Sequence, residues 1–539
     1  MIKNRINTAS LIASALLVLF TLYLVTINYL SGPYKDDWDL IPLLEQTLAG
    51  PLSFPQLWEP YAGIHRIVLT KLLFIIDYRL FNGTNIVQTT ASIILQGLTL
   101  VLWMHAIRSY PATTSKKSIA MLTASMFLFH SAQVFNITYA FDSQWFISTS
   151  ACVAALFFYR TREASALNNI VIIGLGIIAS LGNTAGWMIW PSLLVCSLLM
   201  STKKMESLLW FSMLILMTLI WGSGVHQVAP PPNLPPWHQW VPAWLAQMAI
   251  FLARLIGNPW TSFNNNAGIL LGFIGLSALG YCLLRHRHQP HTFFLSIALY
   301  ACMIAMAITL GRSGYEQEAA TPRFYTVTLL FWGGLLCHIL LLQKTRPYAY
   351  TAGVLACLIA LPLYARHAQD NIAMTENARH SQFALMIGMH DWDAIKFTLA
   401  WYMPANNHNP GKEHEVFLKQ RRLGYYQLPQ ARFIDTTLTL PLQTCGAMNG
   451  EIFPLQLPGE YNVFFRQPLQ QGLWLTTDAH GTVNGALRQY RPIGWLLPMR
   501  WLPDDRPSWS GYAHSTPAWA VRIEDQHATC RLPLQPSTP

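Results

Sequence analysis

Charge is what this chain has least of. Of its 539 residues only 11% are Asp, Glu, Lys or Arg, where soluble domains carry about 25%. It holds no P-loop, no dinucleotide fingerprint and no zinc-ligand spacing. No internal repeat is visible. Nucleotide-driven and zinc-dependent chemistry therefore have no recognisable seat. No small-residue cleavage site follows the first apolar stretch, so residues 1–30 read as a retained span rather than a removed leader.

Hydrophobic residues fill the chain instead, at 52%. They gather in eleven runs, at roughly 9–30, 84–107, 118–135, 144–159, 167–182, 184–200, 207–224, 266–284, 292–310, 324–343 and 348–364. Runs of this length and purity predict a polytopic α-helical membrane domain of about eleven spans. The pair 167–182 and 184–200 also reads as one broken helix.

The basic residues orient the domain. With Lys3 and Arg5 in the cytoplasm, the short inside loops hold thirteen basic and two acidic residues. The outside segments up to residue 365 hold seven basic and nine acidic ones. This is the positive-inside pattern. The net charge of +10 is thus a topology signal and not a nucleic-acid footprint. Every inside loop is short, so chemistry is expected on the outer face. The histidine-rich 286–291 falls inside and reads as a basic loop, not a metal site.

Residues 1–365 read as the membrane domain. Residues 366–539, with 15 basic and 14 acidic residues, read as a soluble outer domain of α+β type. Its first section is helical in pattern. From about 433 short apolar–polar segments separated by Gly and Pro suggest strands of a small β-sandwich. Six of the eight cysteines lie in or near spans and read as packing residues. Cys445 and Cys530 lie in the outer domain, where an oxidising compartment predicts a disulfide between them.

The first outer segment opens "SGPYKDDWDL". Asp36 and Asp37, with Asp39 behind them, stand at the bilayer edge. Neighbouring carboxylates in a partly dry site repel, so one pKa rises and that group can serve as a general base. The plain alternative is a solvated loop that caps the next helix. "WEPYAGIHRIVLTKLL" then brings Glu59, His65, Arg66 and Lys71 to the same face. Its stretch 67–76, interrupted by Asp77 and Arg79, suits an interfacial amphipathic helix; snorkelling explains Lys71 and Arg79 equally well. The segment "GRSGYEQEAATPRFYT" carries Arg312, Glu316, Glu318, Arg323 and Tyr325. A guanidinium fork there suits a phosphate, or pairs with the nearby acids. Arg254 is a weaker candidate of the same kind. Asp142 and Gln144 sit in a short outer turn. Gly182, Asn183 and Gly186 break an apolar run, which is tolerated only where protein or a wet cavity covers it. The prolines of 226–244 favour extended structure. The acidic pair leaves room for Mg²⁺, Mn²⁺ or Ca²⁺ without requiring one.

These pieces occur in a telling order: one span, an outer loop opening "DDW" (36–38), "HR" (65–66), many spans including "NTAGWMIWP" (183–191), then "GRSGYEQEAATPRFY" (311–325) and a C-terminal outer domain. In this the chain resembles the GT-C superfamily of integral-membrane glycosyltransferases over its first two thirds. The resemblance implies a polyprenyl-phosphate-linked sugar as donor and transfer, on the periplasmic face of a bacterial inner membrane, to a hydroxyl of a glycan or lipid acceptor. It gives Asp36 or Asp37 the role of base toward the acceptor hydroxyl. Arg312 and Arg323 hold the departing phosphate, with Glu59, His65, Arg66, Asp142 and Tyr325 lining the substrate site. Some relatives carry a second acidic loop; here that loop offers only Asp142, so a metal requirement stays open. Trp474, Trp495, Trp501, Trp509 and Trp519 are candidates for stacking on acceptor sugars, although a core role suits most of them. Two competing readings are a transporter of lipid-linked sugars, which needs a polar path to the inside, and a non-catalytic envelope assembly protein whose outer domain does the work.

Overall fold

A computed structural model describes residues 2–161, 165–200, 204–224, 241–261, 264–287, 292–342, 347–399, 410–467, 469–489 and 509–537. Most of the proline-rich stretch (up to 240), residues 288–291 of the histidine-rich loop, and Trp495 and Trp501 lie outside them. The chain divides into two compact units. One comprises Met1–Ile27, Pro51–Phe74 and Val87–Ala368; the other comprises Asn28–Gly50, Ile75–Ile86 and Gln369–Pro539.

The first unit is helical. All eleven apolar runs fold as helices, over Ile2–Ile27, Ile86–Ser109, Thr114–Leu128, Ser143–Thr161, Ala166–Gly182, Ile189–Met200, Lys204–Gly222, Asn265–His286, Phe293–Arg312, Tyr325–Leu341 and the start of Pro347–Ile387. Among the described residues six helices are long and apolar enough to cross a membrane, and three more are apolar but shorter. The run read as possibly broken is broken: helices end at Gly182 and resume after Asn183. A helix the runs did not contain, Val241–Ile256, begins inside the proline-rich 226–244, so the extended structure expected there does not hold over 241–244; Pro242 is tolerated in the first turn, and Gln247 and Arg254 interrupt the apolar pattern.

The pair Phe293–Arg312 and Pro322–Leu341 forms the centre, with 72% and 94% of their apolar windows buried, against 11% for Met205–Gly222. Tyr300, Phe293, Phe294, Trp103 and Trp190 are fully buried there. The helix Ile86–Ser109 is turned polar side in. Gln88, Ser92, Gln96 and Thr99 are buried, while Ile94, Leu98 and Val101 are exposed. Thr99 donates to Ser150 Oγ at 2.9 Å and Gln96 to the Leu128 carbonyl. That inversion is expected of a helix whose outer face meets hydrocarbon.

The second unit joins residues far apart in sequence. Asn85 donates to Gly32 O at 2.7 Å and to Leu30 O at 3.3 Å. Lys35 N–H donates to Thr398 O at 2.7 Å, and Gly424 N–H to Asn82 O at 2.8 Å. Gly32 has φ +89°, and a Cβ there would run into Tyr425. Residues 28–50 and 75–86 therefore fold with the C-terminal region.

Among the described residues seven strands follow: β1 (Gly450–Pro454), β2 (Tyr461–Phe465), β3 (Leu473–Thr477), β4 (Val483–Gln489), β5 (Trp509–Ala513), β6 (Trp519–Glu524) and β7 (His527–Pro536). The expected sandwich closes instead into a barrel of order β1-β2-β5-β4-β3-β6-β7. A parallel pair, Gly450 against Leu534 and Glu451 against Gln535, makes the seam. Closure leaves no unpaired edge. Ile452, Val463, Phe465, Trp474, Trp509 and Leu532 fill the interior, so Trp474 and Trp509 are core residues, and Trp519 lies 4.0 Å beneath the Arg531 guanidinium. β5 is buried along its whole length; His380 of the helix Pro347–Ile387 lies 4.8 Å from Tyr512 on its outer face. Cys445 and Cys530 form the expected disulfide, with Cα atoms 5.1 Å apart.

Candidate functional site

In the first unit, four segments distant in sequence meet at one end of the helix bundle. Two backbone hydrogen bonds close the turn Tyr61–His65: Tyr61 N–H donates to His65 O at 2.7 Å, and His65 N–H to Tyr61 O at 2.9 Å. His65 Nδ1 then lies 2.6 Å from Thr184 Oγ1. Thr184 opens the four-residue helix Thr184–Trp187, whose cap is Asn183; the Asn183 side chain accepts the Gly186 N–H at 3.1 Å. The Tyr61 ring rests 4.8 Å from Phe141, beside the buried Asp142 in the 3-10 helix Ala140–Asp142. Asn136 donates to Thr326 Oγ1 at 3.0 Å and to Arg323 O at 3.4 Å.

Arg312 ends the helix Phe293–Arg312 and pairs with Glu318. Arg323 sits in the 3-10 helix Pro322–Phe324. Burial first, and then the positive charges of Arg312 and Arg323, push the His65 pKa down to about 4. The imidazole is therefore neutral at neutral pH. Tyr325, buried at the start of its helix, packs 4.9 Å from His367.

Two cations hold this rim from within. Arg66, fully buried, stacks 4.3 Å over Trp58. Its guanidinium donates to the carbonyls of Trp58 and Ser223 and to Trp221 O at 2.9 Å. Two of those carbonyls belong to the end of the helix Lys204–Gly222, where a cation also meets the negative pole of the helix dipole. Lys71 donates to Glu59 O at 2.7 Å, Gln56 O at 3.0 Å and Leu57 O at 3.4 Å. Burial lowers its pKa. Snorkelling does not describe Lys71: the ammonium is buried against three carbonyls. Glu59 enters this arrangement through its backbone.

The second unit separates the two aspartates. They share the 3-10 helix Lys35–Leu40. Asp37 is fully buried, and its Oδ2 accepts the Tyr34 N–H at 3.0 Å. Burial, and then the Asp37 and Asp77 carboxylates, hold the Tyr78 hydroxyl well above its usual range. Asp77 in turn accepts the Asn85 N–H at 2.8 Å. Asp36 is partly exposed. Among the described residues no group of three or more His, Cys, Asp or Glu gathers to hold a metal ion.

The motifs "HR", "NTAGW" and "GRSGYEQEAATPRFY" and the turn that carries Asp142 thus meet in the first unit, and "DDW" lies in the second. Sequence reasoning missed Thr184, Asn136 and the anchoring role of Lys71. The helix break at Asn183 was the one signal that pointed toward Thr184.

No family model and no curated protein matches the sequence. Two solved structures do. The chain is similar to ArnT from Cupriavidus metallidurans bound to undecaprenyl phosphate, at a TM-score of 0.38 and 12% identity, over 76% of this chain and 68% of that one. It is also similar to ArnT from the same organism in the apo state, at a TM-score of 0.41 and 12% identity, over 76% of this chain and 88% of that one. At this distance neither transfers a residue role.

Proposed function

We propose that the chain is a bacterial inner-membrane glycosyltransferase. It moves a sugar from a polyprenyl-phosphate-linked donor to a hydroxyl of a cell-envelope glycan or lipid, on the periplasmic face, with the N-terminus in the cytoplasm. The observation that carries this reading is the meeting of Tyr61–His65, Asp142, Thr184 and the Arg312–Arg323 segment at one end of the bundle. Two guanidiniums, one of them paired with Glu318, and a neutral imidazole make a hydrogen-bonding rim suited to a phosphate.

In this reading Asp36 takes the proton of the acceptor hydroxyl. The oxygen attacks the anomeric carbon, a carbon–oxygen bond forms, and the bond from that carbon to the phosphate oxygen breaks. Arg312 and Arg323 stabilise the charge that builds on the departing phosphate. Asp36 is preferred over Asp37 because it is accessible, whereas the Asp37 carboxylate is buried and spent on the Tyr34 amide. Arg66 is better suited to anchoring than to ligand binding, since three carbonyls occupy its guanidinium.

The test is mass analysis of surface glycans from cells with and without the gene, and from cells carrying Asp36→Asn. The reading predicts one sugar modification that disappears on deletion and is not restored by Asp36→Asn at normal protein levels. Unchanged glycans, or full restoration by Asp36→Asn, refute it.

A further inference from the structure

Threonine hydroxyls inside helices usually bond back to the carbonyl four residues earlier. Thr138, Thr149 and Thr309 of this chain do so, at 2.9, 2.6 and 2.7 Å. Thr184 does not. Asn183 is extended (φ −168°, ψ 179°) and breaks the helix immediately before it, so no regular turn delivers the Ser180 carbonyl to its hydroxyl. Among the described residues the hydroxyl bonds to His65 Nδ1 alone, at 2.6 Å.

His65 sits in a turn closed on itself at Tyr61 and beside the anchored Arg66, so its backbone is fixed. Its Nε2 has no partner among the described residues. Arg312 and Arg323 act on the ring electrostatically, and two neighbouring cations disfavour a third. A neutral imidazole carries one N–H, and the bond made by one nitrogen decides which nitrogen holds it.

We infer that Thr184 is a positioning residue for His65: its hydroxyl donates to Nδ1, which leaves the proton on Nε2 as a neutral donor to a phosphate oxygen held by Arg312 and Arg323. This rests on the functional reading above. A neutral donor adds a hydrogen bond to the anion without adding a charge beside two guanidiniums. The helix break at Asn183 acquires a purpose, because it releases the Thr184 hydroxyl for the bond.

The test uses the full-length protein in lipid nanodiscs, with undecaprenyl phosphate as the probe and native mass spectrometry as the binding readout. Thr184→Val weakens binding about tenfold, in line with the loss of one charge-assisted hydrogen bond. Thr184→Ser stays within about twofold of wild type, since it keeps the hydroxyl. Combining Thr184→Val with His65→Ala is no weaker than His65→Ala alone, as expected of residues acting through one another. In protein labelled with ¹⁵N-histidine, the His65 Nδ1 resonance moves in Thr184→Val and not in Thr184→Ser. If Thr184→Val misfolds, the Thr184→Ala variant takes its place in each comparison. Wild-type binding with an unaltered Thr184→Val affinity, or fully additive losses in the double variant, overturns this inference and leaves the functional reading standing. Absence of wild-type binding overturns both.

Discussion

Glu376 and Arg488 form a largely buried ion pair: Oε2 and Nη2 lie 2.8 Å apart, with the side chains 2% and 17% exposed. Glu376 also accepts from Arg379 at 2.7 Å, and Arg379 donates to Tyr29 O at 2.8 Å. The carboxylate stands one helical turn before His380, which covers Tyr512. The pair therefore fixes the second unit's portion of the helix Pro347–Ile387, from Gln369 on, to the barrel wall at β4 and β5. Removing one member of such a pair strands the other and costs about 3–5 kcal/mol, whereas replacing both with apolar groups is much milder. Glu376→Ala is expected to lower the melting temperature of the detergent-solubilised protein sharply. Glu376→Leu combined with Arg488→Met is expected to recover most of the loss.

The two aspartates of "DDW" give opposite phenotypes. Asp36→Asn costs less thermal stability than Asp37→Asn and reduces transfer by roughly 10²–10⁴-fold, the range for loss of a general base. Asp37→Asn weakens the acceptor of the Tyr34 amide and destabilises the fold by about 1–3 kcal/mol. Melting curves and glycan analysis on both variants separate the roles; equal phenotypes would reject the assignment.

Acid acts on His65 with a definite sign. Its folded pKa, about 4, lies below the ordinary 6.5. Above pH 6.5 both folded and unfolded chains hold it neutral, and its contribution to stability does not change with pH. From 6.5 down to 4 the unfolded chain takes up a proton that the folded one refuses. Stability therefore falls with acidification, by up to about 1.4 kcal/mol per pH unit from this residue. His65→Gln removes that component. Comparing denaturation midpoints of wild type and His65→Gln at pH 7 and pH 4.5 measures it.

The bond between Cys445 and Cys530 closes a separation of 85 residues. Cross-links of that span stabilise by up to about 4–5 kcal/mol through the unfolded chain. Reduction, or Cys445→Ser with Cys530→Ser, is expected to loosen the barrel first. Hydrogen exchange in β7 and in the coil at 443–445 should rise well before exchange in the helix Tyr325–Leu341.

Much of the fold is legible because hydrocarbon imposes a simple rule on composition, and eleven apolar runs obey it as helices. Val241–Ile256 escaped because Gln247, which donates to Ser313 O at 3.0 Å, and Arg254 are polar residues within a short helix. Strands are legible from alternation, but closure is not. The partners at the seam, Gly450 and Leu534, lie at opposite ends of the barrel sequence, and nothing local distinguishes a sandwich from a barrel. Among the candidate residues, type and sidedness pointed to the rim. Burial did not: adjacent letters 36 and 37 look alike, yet only one is enclosed. His65 and Thr184 are 119 positions apart, and no periodicity connects them. The same holds for Asn82 and Gly424, whose bond joins the early segment to the late one.

The parallel seam makes β7 the keystone of the barrel. A premature stop ahead of His527 would do more than shorten the chain. It would strip the hydrogen-bonding sides of β1 and β6 together, leaving two bare templates for strand addition. Truncation products of this protein should therefore be recovered as aggregates rather than as smaller folded species.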